Sequence, residues 1–225
     1  MYSPVPPSER RPPRHQLVRI VPAAWDALLA SRHDLAGEFL LTGWAQQSWP
    51  LIVRRSLPGE SSEWLPLGLP LPPCAGKRRI ALQARPGDIA SVAPLPYLAD
   101  TIEAAPSAWR PFLNELVVVG QQHGVQLRVF GSLAWQYLTG LTYLGPGSDL
   151  DLVWTLPRRE RIRRLLGDLA DIESRAPMRL DGELVRADGA GVNWREVHAG
   201  IPELALKTAT DVVLCSIDDF VGEAA

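Results

Sequence analysis

A chain of 225 residues, 46% of them hydrophobic, has room for one generous domain or two small ones with a proper core. Its formal net charge of −2 argues against a general nucleic-acid binder, a class that carries a large positive excess. No apolar run approaches the roughly 18 residues that span a bilayer, and prolines and charges stand where a signal peptide needs an apolar core, so no membrane is expected and the cytoplasm is the expected compartment.

Residues 1–13 hold five prolines and no apolar periodicity, the signature of a poorly ordered lead-in. A short helix is expected over Ala23–Ala30, and strands over Pro50–Arg55 and Arg78–Ala84. The proline-rich stretch Leu65–Pro73 is expected to lie extended over a surface or to form a cleft wall. Residues 14–95 therefore read as a small β-rich domain, and Pro94-Leu95-Pro96 as its boundary with a second domain over 96–225. There Trp109, Phe112, Leu113, Leu116 and Val117 form the stripe of an amphipathic helix that Gly124 can terminate. Val125–Phe130 reads as a strand and Leu133–Leu138 as a helix; Leu150–Trp154 follows as a strand, and a second amphipathic helix begins near Pro157. Arg179–Val185 and Val192–Val197 flank Asp188-Gly189, a hairpin signal. The fold class is α/β (α+β), with a mixed sheet and packed helices in the second domain.

The most informative residues are Asp149 and Asp151. With a side-chain period of two, they share one strand face with Val153, while Leu150, Leu152 and Trp154 face the other way. Neighbouring carboxylates repel, and the arrangement makes sense with a cation between them; a hard ion such as Mg²⁺ also binds phosphate oxygens. Gly131-Ser132 falls at the preceding strand-to-helix turn, where glycine admits close approach, the helix N-terminus offers free N–H groups and the hydroxyl adds a donor. One element would hold a polyphosphate and the other its metal.

These residues resemble the signature of the polymerase-beta-type nucleotidyltransferases, in which a Gly-Ser turn precedes two metal-binding acids and a third acid on a later strand. Asp149 comes 17 residues after Ser132, and the loop Thr142–Ser148 absorbs that length. Asp181 and Glu183 share a face of their strand, and either can be the third acid; Asp181, just before Gly182, is preferred.

A closer resemblance covers most of the chain. Pro50–Arg55, Leu65–Pro73 and Gly76–Ile80, then Phe130–Trp135, Ser148–Leu152, Leu180–Leu184 and Val192–Glu196, are similar to the malonate decarboxylase holo-acyl carrier protein synthases, which are phosphoribosyl-dephospho-CoA transferases. That resemblance implies transfer of the phosphoribosyl-dephospho-CoA group from triphosphoribosyl-dephospho-CoA to a serine of the malonate decarboxylase acyl carrier protein, with release of diphosphate. It implies two Mg²⁺ ions, with Mn²⁺ as a substitute, held by Asp149, Asp151 and Asp181 (Glu183 as the alternative). Gly131 and Ser132 would hold the terminal phosphates. Two other readings are a nucleotidyltransferase with another acceptor, such as the citrate lyase carrier protein or a small molecule, and a non-catalytic nucleotide-binding module.

For a polyanionic donor, basic residues must be concentrated locally despite the net charge. Lys207 and Arg195 are candidates for phosphate, and an ordinary surface role competes for Lys207. Lys77, Arg78 and Arg79 are candidates for substrate binding in the first domain. Arg158, Arg159, Arg161, Arg163 and Arg164 lie off an apolar stripe and read as a solvated helix face. Neither Cys74 and Cys215 nor the four histidines show metal-ligand spacing.

Overall fold

The computed structural model describes residues 12–222, which fall into two compact units, one ending at Pro94 and the other beginning at Leu95. The expected lead-in over 1–13 lies, up to residue 11, outside the described residues.

In the first unit, β1 (Leu17–Ile20) leads into α1 (Pro22–Ser31) and the one-turn helix α2 (Phe39–Thr42). Then come β2 (Leu51–Val53), β3 (Leu65–Pro70), β4 (Arg79–Ala84) and β5 (Ile89–Ala93). The five strands form one antiparallel sheet in the order β4-β3-β2-β1-β5. Trp25 and Trp44 are buried, and each indole N–H reaches a carbonyl, Leu41 at 2.7 Å and Pro50 at 3.1 Å, so neither polar group is stranded in the core.

The proline-rich stretch departs from its expected place. Leu65–Pro70 is an interior strand, paired over its whole length with β4 and carrying buried Leu65, Leu67 and Leu69. Pro66 accepts from the backbone N–H of Arg54, so the donor that proline lacks faces β2. That neighbour pairs with β3 only at Gly68 and Leu67, which leaves Pro66 and Pro70 outside its ladder. Alternate leucines supply the burial that holds the strand.

In the second unit, the one-turn helix α3 (Leu98–Thr101) precedes α4 (Arg110–His123), which ends at Gly124 in the left-handed conformation, φ 68°. Next come β6 (Leu127–Val129), α5 (Gly131–Thr139), β7 (Leu150–Thr155), α6 (Arg159–Arg175) and β8 (Leu180–Val185). The chain finishes with β9 (Gly191–Asn193), α7 (Trp194–His198), β10 (Leu204–Lys207), β11 (Val212–Cys215) and α8 (Ile217–Gly222). Six strands form a sheet in the order β11-β10-β9-β8-β7-β6. β7 and β8 are parallel and the other neighbours antiparallel, so the sheet is mixed as expected.

Two features of that sheet differ from the sequence expectation. Val192–Val197 is half strand and half helix, because the Asn193 side chain accepts from the Arg195 N–H and caps α7. The β10–β11 hairpin was not expected at all.

Parallel pairing requires a crossover, and α6 supplies it. Its stripe of Ile162, Leu165, Leu166, Leu169 and Ile172 is buried together with Leu113 and Leu116 of α4 and Leu150, Leu152, Trp154, Leu180 and Leu184 of the sheet. Gly182 is needed inside this core, since a Cβ there would stand 2.5 Å from the Leu152 carbonyl oxygen and 2.1 Å from the Trp154 ring. The arginines at the start of α6 face solvent; Arg159 pairs with Asp218, and Arg161 reaches the His123 carbonyl. With Leu150, Leu152 and Trp154 committed to the core, the odd-numbered residues of β7 face the other way.

Candidate active site

Asp149 lies immediately before β7 and Asp151 within it, on the face opposite the core. Because β8 starts at the same end of the sheet, its own odd-numbered residues come alongside. Asp151 stands in register with Asp181 and Val153 with Glu183. One residue earlier, the Leu150 N–H donates to the Arg179 carbonyl at 2.9 Å, which sets Asp149 beside Arg179. Four side chains, Asp149, Asp151, Arg179 and Asp181, thus occupy a two-by-two grid at adjacent strand starts.

The opposite side of β7 brings the glycine turn to the same place. β6 pairs antiparallel with β7, Val129 against Leu152, and the Phe130 N–H donates to the Asp151 carbonyl at 3.0 Å. Gly131 follows with φ 61° and opens α5. A Cβ at Gly131 would overlap the Asp151 carboxylate, with Cγ only 2.5 Å away, so this position needs glycine both for its backbone angle and for the space. No side chain caps α5, and its first N–H groups, with the Ser132 hydroxyl, are left to an acceptor beside Asp151.

Asp181 and Glu183, equal partners by alternation, are separated by their surroundings. The Asp181 Oδ1 accepts from the Gly182 N–H at 2.8 Å and the Asn193 amide at 3.2 Å, which orients the carboxylate and leaves its side chain partly exposed at 36%. Glu183 is buried and takes the Lys207 ammonium at 2.7 Å. Asp181 is therefore the acid available to the Asp149–Asp151 face.

The expected phosphate cations fare differently. Lys207 is near but engaged by Glu183. Arg195 belongs elsewhere: its guanidinium pairs with Glu173, donates to the Leu180 carbonyl at 2.7 Å and lies over the Trp194 ring at 4.8 Å, tying α7 to the end of α6. Those contacts, made through Nη2, hold the guanidinium against Glu173 and Leu180, while its buried Nε has no hydrogen-bond partner. Lys77, Arg78 and Arg79 lie in the first unit at the β3–β4 turn, where Arg78 pairs with Glu38 and Ile80 turns inward as alternation requires.

Sequence reasoning missed Arg179. Its Nη2 lies 3.2 Å from Asp149 Oδ2 and 3.9 Å from Asp181 Oδ2. The period of two that linked Asp181 to Glu183 extends back to residue 179 and contained that signal.

Among the described residues no three acidic, histidine or cysteine side chains already converge as a ready metal cage. The donor set is nevertheless made of carboxylates at adjacent strand starts, two of them directly opposite each other, where like charges destabilise a sheet. That chemistry suits a hard, oxygen-preferring divalent cation.

Comparison with known proteins agrees with this architecture unit by unit. Residues 13–94 match the model of the phosphoribosyl-dephospho-CoA transferase MdcG N-terminal domain, and residues 97–218 that of its C-terminal domain. The class is therefore an enzyme, a transferase. A protein of Bradyrhizobium diazoefficiens named phosphoribosyl-dephospho-CoA transferase is 48% identical over 224 residues, 100% of this chain and 99% of that one. A protein of the same name from Xanthomonas euvesicatoria is 38% identical over 88% of this chain and 91% of its own, and one from Xanthomonas campestris 39% over 74% and 78%. The chain belongs to the phosphoribosyl-dephospho-CoA transferase family. No solved structure matches it at a significant level. No helix among the described residues is long and apolar enough to cross a membrane.

Proposed function

We propose that the chain transfers the phosphoribosyl-dephospho-CoA group from triphosphoribosyl-dephospho-CoA to a serine hydroxyl of the malonate decarboxylase acyl carrier protein. The transferred group is the one in the names of the relatives, and the acceptor comes from the resemblance of the motif segments. The observation that carries the reading is the in-register pair Asp151 and Asp181 beside the Gly131 turn, a placement suited to a donor whose reacting part is a triphosphate.

In this mechanism the serine oxygen forms a bond to the phosphorus nearest the ribose, the bond from that phosphorus to the diphosphate oxygen breaks, and the hydroxyl proton is lost. The free N–H groups at the start of α5 and the Ser132 hydroxyl receive the two departing phosphates. Asp149, Asp151 and Asp181 would hold Mg²⁺. Mg²⁺ held by these residues would supply positive charge against the phosphate oxygens and so ease loss of the hydroxyl proton. Asp181, held at one oxygen by Gly182 and Asn193, keeps a second oxygen on the same face to accept the serine proton. The core behind β7 fixes the strand so that Asp149 and Asp151 need no reorganisation during the step. The reaction would run in the cytoplasm.

Intact-mass spectrometry of the apo carrier protein, incubated with this chain, Mg²⁺ and the donor, tests the proposal. A gain of one phosphoribosyl-dephospho-CoA unit, abolished by EDTA, is the expected result. No gain from folded protein would move the assignment to another acceptor, with the citrate lyase carrier protein the first to try.

A further inference from the structure

Arg179 occupies a place that the metal reading would give to a cation. It is one guanidinium among three carboxylates, and one of its nitrogens, Nη2, faces both Asp149 at 3.2 Å and Asp181 at 3.9 Å. This is a bridge and not a two-pronged grip on either acid, so the planar fork is only partly used. The side chain is 60% exposed. Exposed pairs of this kind hold weakly and are easily exchanged for a better partner.

The other cations of this unit near the sheet are committed. Lys207 is bonded to Glu183, Arg195 to Glu173 and Leu180, and Arg128 lies over the Tyr97 ring at 3.9 Å. Arg179 alone among these combines a position on the acid face with a solvated side chain.

We propose that Arg179 is an exchangeable counter-ion of the acid grid. Before ligands arrive, its guanidinium holds Asp149 and Asp181 together against their mutual repulsion. When a divalent cation takes the carboxylates, Arg179 is released from them and turns its fork to the phosphate oxygens of the donor, for which guanidinium geometry is well suited. Arg179 is thus a competitor of the metal and a partner of the phosphate, a positioning residue with two opposite effects. The inference rests on the metal-site reading above but not on the identity of the acceptor.

The test uses the full chain and no carrier protein. Free Mn²⁺ is titrated by electron paramagnetic resonance against the wild type, Arg179→Gln and Arg179→Lys, and magnesium tripolyphosphate is titrated calorimetrically against the same three proteins. Removing the competing charge in Arg179→Gln is expected to tighten Mn²⁺ roughly two- to fivefold, the scale of one exposed ion pair. The same change is expected to weaken tripolyphosphate by about tenfold or more, the scale of a lost charged hydrogen-bond donor. Arg179→Lys keeps the charge but not the fork, so Mn²⁺ affinity stays near wild type while tripolyphosphate affinity falls part of the way. Opposite signs for the two ligands cannot arise from a general loss of structure. Equal or weaker Mn²⁺ binding by a folded Arg179→Gln overturns the counter-ion role alone. Failure of the wild type to bind Mn²⁺ overturns the metal reading and this inference together, and neither outcome bears on the acceptor.

Discussion

The backbone of Gly131 lies so close to the carboxylate of Asp151 that a methyl group on the glycine would overlap it. Two residues separated by a helix and a long loop therefore define one point in space, where the start of α5 meets the acid face of β7. Gly131→Ala is expected to cost about 1–2 kcal/mol from the left-handed backbone alone. It should also push the Asp151 carboxylate aside and lower transfer by on the order of 100-fold, since a shift of about 1 Å costs that much. Single-turnover assays, with far-UV circular dichroism to confirm the fold, check this. Retention of full activity would remove the close approach from the mechanism.

Asp151 and Asp181 stand in register on parallel strands, each half-buried on the face away from the core. Asp151→Asn and Asp181→Asn each relieve a like-charge pair, so the melting temperature of the metal-free protein should stay the same or rise. Transfer should fall by on the order of 10³-fold or more in each case, because the phosphate-side charge compensation is lost. Asp149→Asn should likewise abolish transfer. Its pair with Arg179 is exposed, so the expected stability change stays within about 1 kcal/mol. A metal-free variant that melts well below wild type would show these acids to be structural.

Glu183 is only 6% exposed and sits next to the Lys207 ammonium. Lys207→Met leaves that carboxylate buried without the ammonium. Breaking a fully buried pair costs about 3–5 kcal/mol, and the partial exposure of Lys207 places the expected loss nearer 2 kcal/mol. Adding Glu183→Gln to Lys207→Met should recover most of it. Urea unfolding of the wild type and the two variants measures the difference, and an undiminished midpoint for Lys207→Met would show that the pair adds nothing.

The hairpin between β8 and β9 carries its own pH response. The Arg186 guanidinium bonds the Asp188 carboxyl and, with the Ala190 N–H, holds it below the ordinary aspartate value, against the opposing effect of burial. A depressed folded value means that the contribution to stability is complete above the unfolded value of about 3.9 and disappears as the pH falls through the lower, folded one. Amide exchange at Ala190, taken relative to the intrinsic rate at each pH, should therefore stay slow at neutral pH and quicken only once the pH falls below about 4. In Asp188→Asn it should be fast throughout. Slow exchange in that variant at neutral pH would assign the turn to Gly189, with φ 84°, alone.

Much of the candidate site's arrangement is legible in the sequence. The alternation Asp149-Leu150-Asp151-Leu152 states which side chains go inward, because the period of a strand is local, and Gly131-Ser132 between a strand and a helix pattern announces a turn with free N–H groups. Asp181 and Glu183 were indistinguishable on the same rule, since alternation gives a face and says nothing about what covers it. Arg195 and Lys207 looked like phosphate ligands because a lone basic residue carries no mark of its partner. Leu65–Pro73 reads as an extended segment over a surface or in a cleft wall because its prolines are missing donors, whereas the position of Pro66 and Pro70 beyond the short ladder to β2 removes that penalty.

The sequence alone determined the acid pair, its face, the glycine turn and the two-part organisation, all of which depend on residues close together along the chain. Tertiary structure decided that Asp181 stands opposite Asp151, that Lys207 occupies Glu183, and that Arg179 reaches Asp149. Those relationships follow from the register of two parallel strands, which is set by how α6 packs across the sheet before returning the chain, and side-chain pairing across that distance has no local signature.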